Sequence, residues 1–325
     1  MKYSWLVVFT LASLAGKDDK ATMSNYYLGR DVIHAFHGIE ESPSTINYTN
    51  AREVNSQGGH LQGVQSMRKN GQEYVLLSGS SSTYSYYAVV RVGEKNEVLS
   101  VNKIREKPYK HAGGFQIYEK YMAIGIEDDE AKDKSDVYIY QIDDPERPPR
   151  QPIAVIKRTG EPKRATAGCV AITTVRGKML IVVSDWDSRH VDFYASDPPK
   201  SDASSWDFKR VYTINAATID KKGWVNSNWL SYQNINLLKG EEGDLYLIGF
   251  AQAEKGEEVA DLFRVETDRL AAYELKKVAT KTFQTKNGTS FKWGAGVQYN
   301  PDEARMKILS CTAQMGQKAF LSEYQ

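Results

Sequence analysis

The chain has 325 residues, of which 41% are hydrophobic and 26% are charged, and its formal net charge is +1 at pH 7. This composition is typical of a soluble globular protein with enough apolar material for a large core. The near-neutral charge argues against a dedicated nucleic-acid-binding protein, which needs a concentrated basic face. The 20 tyrosines and 6 tryptophans favour β-strands, because large flat side chains pack well on a pleated surface.

The first 15 residues are typical of a short secretory signal. Lys2 supplies the positive start, residues 5–14 form an apolar segment, and Ser13-Leu-Ala15 matches a small-x-small cleavage site. The apolar run is too short to span a bilayer, and a buried N-terminal strand is the alternative. We therefore predict a signal peptide at 1–15, a secreted or periplasmic protein without a membrane span, and one domain over 16–325.

One motif recurs along the rest of the chain. It is clearest as His111-Ala-Gly-Gly-Phe-Gln116, and it returns in weaker form at 60–65, 166–171, 233–236 and 293–298. Its last positions are 65, 116, 171, 236 and 298, so the steps run from 116−65=51 to 236−171=65 residues. Self-similarity at a period of this length indicates a repeat architecture.

Each repeat contains several predicted strands and no convincing amphipathic helix. Second strands are expected at 74–80, 121–127, 179–185, 245–251 and 306–313, and third strands at 86–92, 136–142, 190–194, 261–265 and 319–324. Fourth strands fit 98–104, 152–156, 208–214 and 275–283. Four strands in each of five repeats predict an all-β, five-bladed β-propeller with four-stranded antiparallel blades.

The fifth repeat lacks a fourth strand of its own. The segment Asn25–Phe36 carries alternating apolar residues and is predicted to supply it, so that an N-terminal strand closes the ring. The alternatives are a pair of β-sandwiches or a six-bladed ring. The longest step between motifs is too short for an additional four-stranded blade, which favours five blades.

Over residues 25–325, this pattern of one inner-strand motif and four strands per repeat resembles the five-bladed β-propeller superfamily. That superfamily includes secreted glycosidases, nucleotidases and lectins, so the resemblance implies a fold and leaves the function open. It also implies a binding face, formed by the loops that enter the innermost strands and the loops between second and third strands.

These loops and inner strands provide aromatic and amide side chains, the usual composition of a small-molecule pocket. The ligand-binding candidates are Gln65, Gln116, Trp186, Trp229, Tyr232, Gln233, Asn236, Trp293 and Gln298. The aromatic residues would stack on the ligand, and the amides would bond its polar edges. For the four inner-strand amides at 65, 116, 236 and 298, the alternative is a hydrogen-bonded plug that closes the channel.

His60 and His111 begin adjacent repeats at equivalent positions. They could act as a general acid and base or bind a metal. Alternatively, each could cap a strand end by bonding a neighbouring blade's backbone, which predicts equal and modest losses of stability on replacement.

Glu127 and Asp185 close the second strands of neighbouring blades and could be the two carboxylates of a hydrolase. By resemblance, five-bladed glycosidases carry acids on their innermost strands. This chain has amides and an alanine at those positions, which counts against glycosidase chemistry. Glu127-Asp-Asp-Glu130 with Asp133 could bind calcium, although the spacing and glycine of an EF-hand are absent. No other cofactor or metal site is expected, since the two cysteines form no ligand cluster.

The sequence therefore predicts an exported, monomeric propeller that binds a small polar or carbohydrate-like ligand, either a small molecule or a glycan, at its channel mouth. The first alternative is a propeller enzyme, hydrolase or lyase-like, in which His60 or His111 acts with Glu127 or Asp185, with or without calcium. The second is a protein-interaction scaffold that presents exposed tyrosines such as Tyr84, Tyr86 and Tyr87.

Overall fold

The computed structural model describes residues 32–54, 59–197, 206–240, 242–268, 271–300, 303 and 305–325. In this part of the chain a short helix, α1 (Val32–Gly38), precedes the first strand, β1 (Ser44–Thr49). Nineteen further strands follow, with one 3-10 turn at Trp186–Ser188. No described helix is long and apolar enough to cross a membrane.

Four blades follow β1 in chain order, and the four strands of each pair antiparallel. Blade 1 contains β2 (Leu61–Lys69), β3 (Gln72–Ser80), β4 (Tyr84–Val92) and β5 (Glu97–Glu106). Blade 2 contains β6 (His111–Tyr118), β7 (Tyr121–Glu127), β8 (Lys134–Gln141) and β9 (Ala154–Thr159). Blade 3 contains β10 (Cys169–Val175), β11 (Lys178–Ser184), β12 (His190–Ser196) and β13 (Lys209–Asn215). Blade 4 contains β14 (Asn234–Lys239), β15 (Leu245–Gln252), β16 (Glu258–Asp268) and β17 (Ala272–Phe283).

The fifth blade joins the two ends of the described chain. Its first three strands are β18 (Thr289–Asn300), β19 (Arg305–Thr312) and β20 (Lys318–Tyr324), and its outer strand is β1. Strand β1 pairs antiparallel with β20 from Ser44↔Glu323 to Thr49↔Lys318. Single parallel bridges, Thr49↔Glu97 and Cys169↔Gly114, join blade 5 to blade 1 and blade 2 to blade 3. The chain is thus a five-bladed β-propeller closed by an N-terminal strand, which confirms the predicted fold class.

The prediction that Asn25–Phe36 is the closing strand is wrong. Residues 25–31 lie outside the described residues, and the next seven form α1. Val32, Ala35 and Phe36 have helical spacing and are buried together between blades 4 and 5. The 1–15 signal lies outside the described residues as well and stays a prediction, as does the single domain over 16–325.

The core consists of five apolar clusters, one between each pair of neighbouring blades. Each blade therefore buries both of its faces, which is why the strands read as nearly continuous apolar runs rather than alternating ones. Tyr48 of β1 belongs to the cluster between blades 5 and 1, so the closing strand also contributes to the core.

The glycines of the recurring motif lie where the inner strands of neighbouring blades approach most closely. A Cβ atom on Gly113 would lie 2.2 Å from the backbone oxygen of Gly168, and one on Gly296 would lie 1.9 Å from that of Val64. Both distances are shorter than any non-bonded contact, so only glycine permits this approach. Close packing around the axis is therefore a physical reason for the motif.

A buried ion pair joins blades 2 and 3. The carboxylate of Asp192, which is fully buried, accepts hydrogen bonds from Arg158 at 2.8 Å and from both terminal nitrogens of Arg164 at 2.7 Å. Burial alone would raise the pKa of Asp192, but the bonds from Arg164 and the charge of Arg158 outweigh it and lower the pKa to about 2.

We expect Asp192→Asn to lower the free energy of unfolding at pH 7 by about 3 kcal/mol, because it leaves the buried guanidinium of Arg158 and the partly exposed one of Arg164 without their anion. Because the folded-state pKa is depressed, the stabilisation is present above the ordinary pKa of 3.8 and is lost as the pH falls towards about 2. Urea unfolding at several pH values checks this, with the exposed Asp207→Asn as control. A difference from wild type that does not shrink in acid would contradict it.

Candidate active site

A pocket of 260 Å³ opens where the chain enters the innermost strands. We call it the mouth pocket, and all five blades contribute to it. Its lining consists of His60, Gln62, Ser80, His111, Glu127, Asp129, Gly168, Asp185, Trp186, Asp187, Tyr232, Gln233, Lys292 and Trp293. The structure therefore brings together the four predicted catalytic residues and four of the nine predicted ligand-binding residues.

His111 and Glu127 form the most deeply buried pair in this pocket. They lie opposite each other at the ends of β6 and β7. The Nδ1 atom of His111 is 3.0 Å from Oε2 of Glu127, although the ring N–H is not aligned on that oxygen. Burial lowers the pKa of His111, but Glu127 and then Asp129 outweigh it, so the pKa is raised above its ordinary value of 6.5. The charge of Glu127 therefore favours the protonated form of His111.

His60 stands beside His111 with the opposite electrostatic environment. The two ring centroids are 5.8 Å apart, and the Trp293 ring lies 5.5 Å from His60 on another side. Burial, followed by the charge of His111, lowers the pKa of His60 below 6.5. His60 Nδ1 lies 3.1 Å from the carbonyl oxygen of Leu61 and also contacts the Gln62 amide. With the proton on Nδ1, donated to Leu61, Nε2 is a proton acceptor, and the amide nitrogen of Gln62 lies 3.2 Å from it.

These environments move the pKa values of two neighbouring histidines in opposite directions. A neutral imidazole can accept a proton, while an imidazolium beside it can donate one. Such divergence between adjacent titratable groups is the usual mark of an acid–base pair. The contacts of His60 and His111 also differ from the predicted caps, since each ring's polar partners lie within its own blade.

Asp185 carries a histidine partner of its own. It follows β11, and its Oδ2 lies 2.7 Å from Nδ1 of His190, the first residue of β12. Its Oδ1 accepts the backbone N–H of His190 at 2.8 Å. Burial raises the pKa of Asp185, and these bonds oppose it only in part. Asp185 therefore orders the β11–β12 hairpin that presents Trp186 and Asp187 to the pocket.

Three of the four aromatic candidates line the mouth pocket, and the fourth packs behind one of them. Trp186 and Trp293 are half-buried and line the pocket. Tyr232 lines it too, but its hydroxyl is used internally and donates to Asp261 at 2.6 Å. Trp229 packs behind Tyr232 at a centroid distance of 5.2 Å, with its indole N–H donated to the backbone of Ser188. Gln233 lines the pocket beside Tyr232.

The inner-strand amides at 65, 116, 236 and 298 lie further along the channel and link the blades. Gln65 donates to the Asn236 side chain at 3.1 Å, and Asn236 accepts the backbone N–H of Val297 at 3.0 Å. Gln116 accepts the N–H groups of Ile172 and Leu237, and Gln298 accepts the Ser66 hydroxyl at 3.0 Å. The buried amides of Gln65, Gln116 and Asn236 fit the hydrogen-bonded plug foreseen as their alternative, whereas Gln298 is exposed. Gln65, Gln116 and Gln298 also line a separate pocket of 710 Å³, and contact with a ligand stays a prediction for all four.

The acidic loop after β7 uses its carboxylates within the protein. Asp128 accepts the N–H groups of Glu130 and Ala131 and lies 3.2 Å from Lys134, and Asp129 lies 3.2 Å from Lys110. Among the described residues, no group of three or more His, Cys, Asp or Glu could hold a metal ion. Calcium binding by this loop stays a prediction.

Two residues of the site are not among the predicted site residues. They are Lys292, which precedes Trp293, and His190, which was predicted only as the start of a third strand. The position of His190 could have revealed its role, because the first residue of a third strand faces the end of the second across a hairpin. The proposed exposure of tyrosines is also wrong for Tyr86 and Tyr87, which are buried in the clusters on either side of blade 1.

No protein-family model and no curated protein matches this sequence. Similar solved structures include a thermostable family-43 glycoside hydrolase, 12% identical over 85% of this chain and 91% of that chain, with a TM-score of 0.47. A GH62 hydrolase in complex with xylotriose is 11% identical over 86% of this chain and 97% of that chain, with a TM-score of 0.48. A GH43_1 enzyme from Xanthomonas citri complexed with xylose is 9% identical over 85% and 89%, with a TM-score of 0.46. Likeness at this level carries no argument about the reaction, and the propeller fold rests on the strand pairing described above.

Proposed function

We propose that the chain is an acid–base enzyme, a hydrolase that acts on a small polar, carbohydrate-like substrate in the mouth pocket. The observation that carries this proposal is the His60–His111 pair, with ring centroids 5.8 Å apart and pKa values moved in opposite directions. This gives more weight to the enzyme alternative than to binding without turnover.

In the proposed reaction, Nε2 of His60 takes a proton from a water molecule as the water oxygen bonds to the substrate. His111 donates its proton to the oxygen of the leaving group as the bond to that oxygen breaks. Glu127 acts as a positioning residue, since its charge keeps His111 protonated until the donation. Afterwards His60 returns its proton to solvent and His111 regains one, which restores the starting state.

The remaining pocket residues suit a polar substrate with flat apolar faces. Trp186 and Trp293 enter from blades 3 and 5 and offer indole surfaces on which a sugar ring could stack. Gln62 and Gln233 bring amides that can both donate to and accept from hydroxyl groups. The same features would serve a binding protein without turnover, which is therefore the second candidate.

The test is turnover of a panel of oligosaccharides by the full chain in ¹⁸O-labelled water. We expect the products of one panel member to carry a single ¹⁸O atom, because hydrolysis adds one water oxygen. Turnover should be lost in the His60→Asn/His111→Asn double variant and kept in His34→Asn, an exposed control on α1.

Two outcomes would replace this proposal. Unsaturated products without ¹⁸O would assign elimination, the lyase-like alternative, to the same histidines. Tight binding of a panel member without product, or turnover that survives in the double variant, would contradict the acid–base enzyme and leave a binding protein.

A further inference from the structure

The charges around the mouth pocket are unevenly partnered. Each buried acid of the pocket has a basic partner: Glu127 has His111 at 3.0 Å, and Asp185 has His190 at 2.7 Å. Asp129 at the rim is paired with Lys110 at 3.2 Å. Each of these three carboxylates therefore already lies within 3.2 Å of a side-chain nitrogen of the protein.

Two lysines at the same rim lack such partners. Within the described part of the chain, neither Lys132 nor Lys292 forms an ion pair with a carboxylate. The Nζ atom of Lys292 lies 4.9 Å from the ring centroid of Trp293, and that of Lys132 lies 3.9 Å from that of Trp186. Each ammonium group is thus held beside an aromatic wall of the pocket, where it remains free to meet an anion.

Lys292 is also close to the acid–base pair. It lines the mouth pocket with Trp293, and the Trp293 ring lies 5.5 Å from that of His60. A ligand that stacks on Trp293 and reaches His60 therefore passes within reach of an unpaired ammonium group. Lys292 is exposed to solvent, and an anionic group on the ligand would form a charge-assisted hydrogen bond with it that a neutral sugar cannot form.

We propose that the mouth pocket takes a sugar with an anionic substituent, a carboxylate or a sulfate ester, which Lys292 binds while the sugar ring stacks on Trp293. Asp187, an exposed acid of the pocket without an ion pair among the described residues, lies on the blade 3 side and would accept the sugar hydroxyls. This inference rests on the proposed function for its site and for the carbohydrate class of its ligand.

Calorimetric titration of the full chain tests this charge preference without turnover. The anionic probes are D-glucuronate, D-galacturonate and D-glucose 6-sulfate, and the neutral probes are D-glucose and D-galactose. We expect at least one anionic probe to bind about 10-fold more tightly than its neutral counterpart, since a hydrogen bond to a charged group contributes that much. A uronate preference assigns a carboxylate, and a preference for the 6-sulfate assigns a sulfate ester.

Lys292→Met should abolish this difference, and Lys95→Met, at an exposed turn of blade 1, should keep it. Neutral sugars that bind as tightly as the anionic ones, or no binding of any anionic probe, would overturn the proposal. A preference that survives in Lys292→Met would overturn it too, because the anion would then lie elsewhere. Because binding and turnover are measured separately, a charge preference in a protein without turnover would contradict only the enzyme proposal.

Discussion

Replacing His60 by Asn is expected to lower kcat by about 10²–10⁴-fold, the usual contribution of a general base. The melting temperature should change little, because the His60 ring is only half-buried and its Nδ1 contacts are with its own neighbours Leu61 and Gln62. Steady-state kinetics and thermal unfolding of the same preparations check the two expectations, with His34→Asn as control.

Equal, modest losses of stability in His60→Asn and His111→Asn, with activity falling only as far as folding does, would contradict this result. Such losses were expected if both histidines were strand caps. The two histidine positions are not equivalent in the structure. The strand that pairs with β2 beside His60 ends at Ser80, whereas the strand opposite His111 ends at Glu127. Only His111 therefore has an anionic partner at this position.

Replacing Glu127 by Gln is expected to move the alkaline limb of the kcat/KM profile to lower pH, because a nearby opposite charge favours the protonated imidazole. Burial already lowers the pKa of His111, and Glu127 is the main group that raises it. Without that carboxylate, His111 loses its proton at a lower pH and cannot donate. The rate should fall most above neutral pH and be largely retained in acid.

The matched control is Glu130→Gln, at an exposed position of the same loop, which should leave the profile unchanged. A uniform loss of activity at all pH values would indicate a structural role for Glu127.

The pH dependence of stability provides a second measurement of the His111–Glu127 pair. Because the folded-state pKa of His111 is raised, the stabilisation from protonated His111 is fully present below pH 6.5 and is lost as the pH rises through that raised value. In Glu127→Gln this dependence should weaken.

The ring of blades could be predicted because the physical constraint on each blade repeats. Every inner strand must approach its neighbours closely, so glycine and small residues recur at fixed places, as at Gly113 and Gly296. Every blade is covered on both faces, so the second and third strands are strongly apolar. These signals located all the strands of blades 1 to 4 to within a few residues.

The closing strand could not be predicted because its signal is weak. Of the six residues of β1, only Tyr48 is buried, and the strand takes its register from hydrogen bonds to β20 rather than from an apolar pattern. The apolar residues before it belong to α1, where spacings of three and one residues were mistaken for alternation. The pairing with β20, rather than the local apolar pattern, therefore determines which segment forms the closing strand.

Part of the candidate site could also be predicted from the recurring motif. Recurrence singled out His60 and His111, and strand ends singled out Glu127 and Asp185. What recurrence could not show is the difference between the repeats. Glu127 lies beside His111 through the pairing of β6 with β7, and His111 lies beside His60 because blades 1 and 2 are adjacent. The two pKa directions depend also on how deeply each ring is buried. Those quantities exist only in the folded ring.

The pKa values of His60 and His111 are displaced in opposite directions, and NMR titration of the side-chain nitrogens measures this displacement without a substrate. His60→Asn and His111→Asn assign the two sets of signals. We predict that His60 titrates below the ordinary value of 6.5 and that His111 titrates above it. Two histidines that titrate together near 6.5, or a His60 that keeps its proton to higher pH than His111, would contradict it.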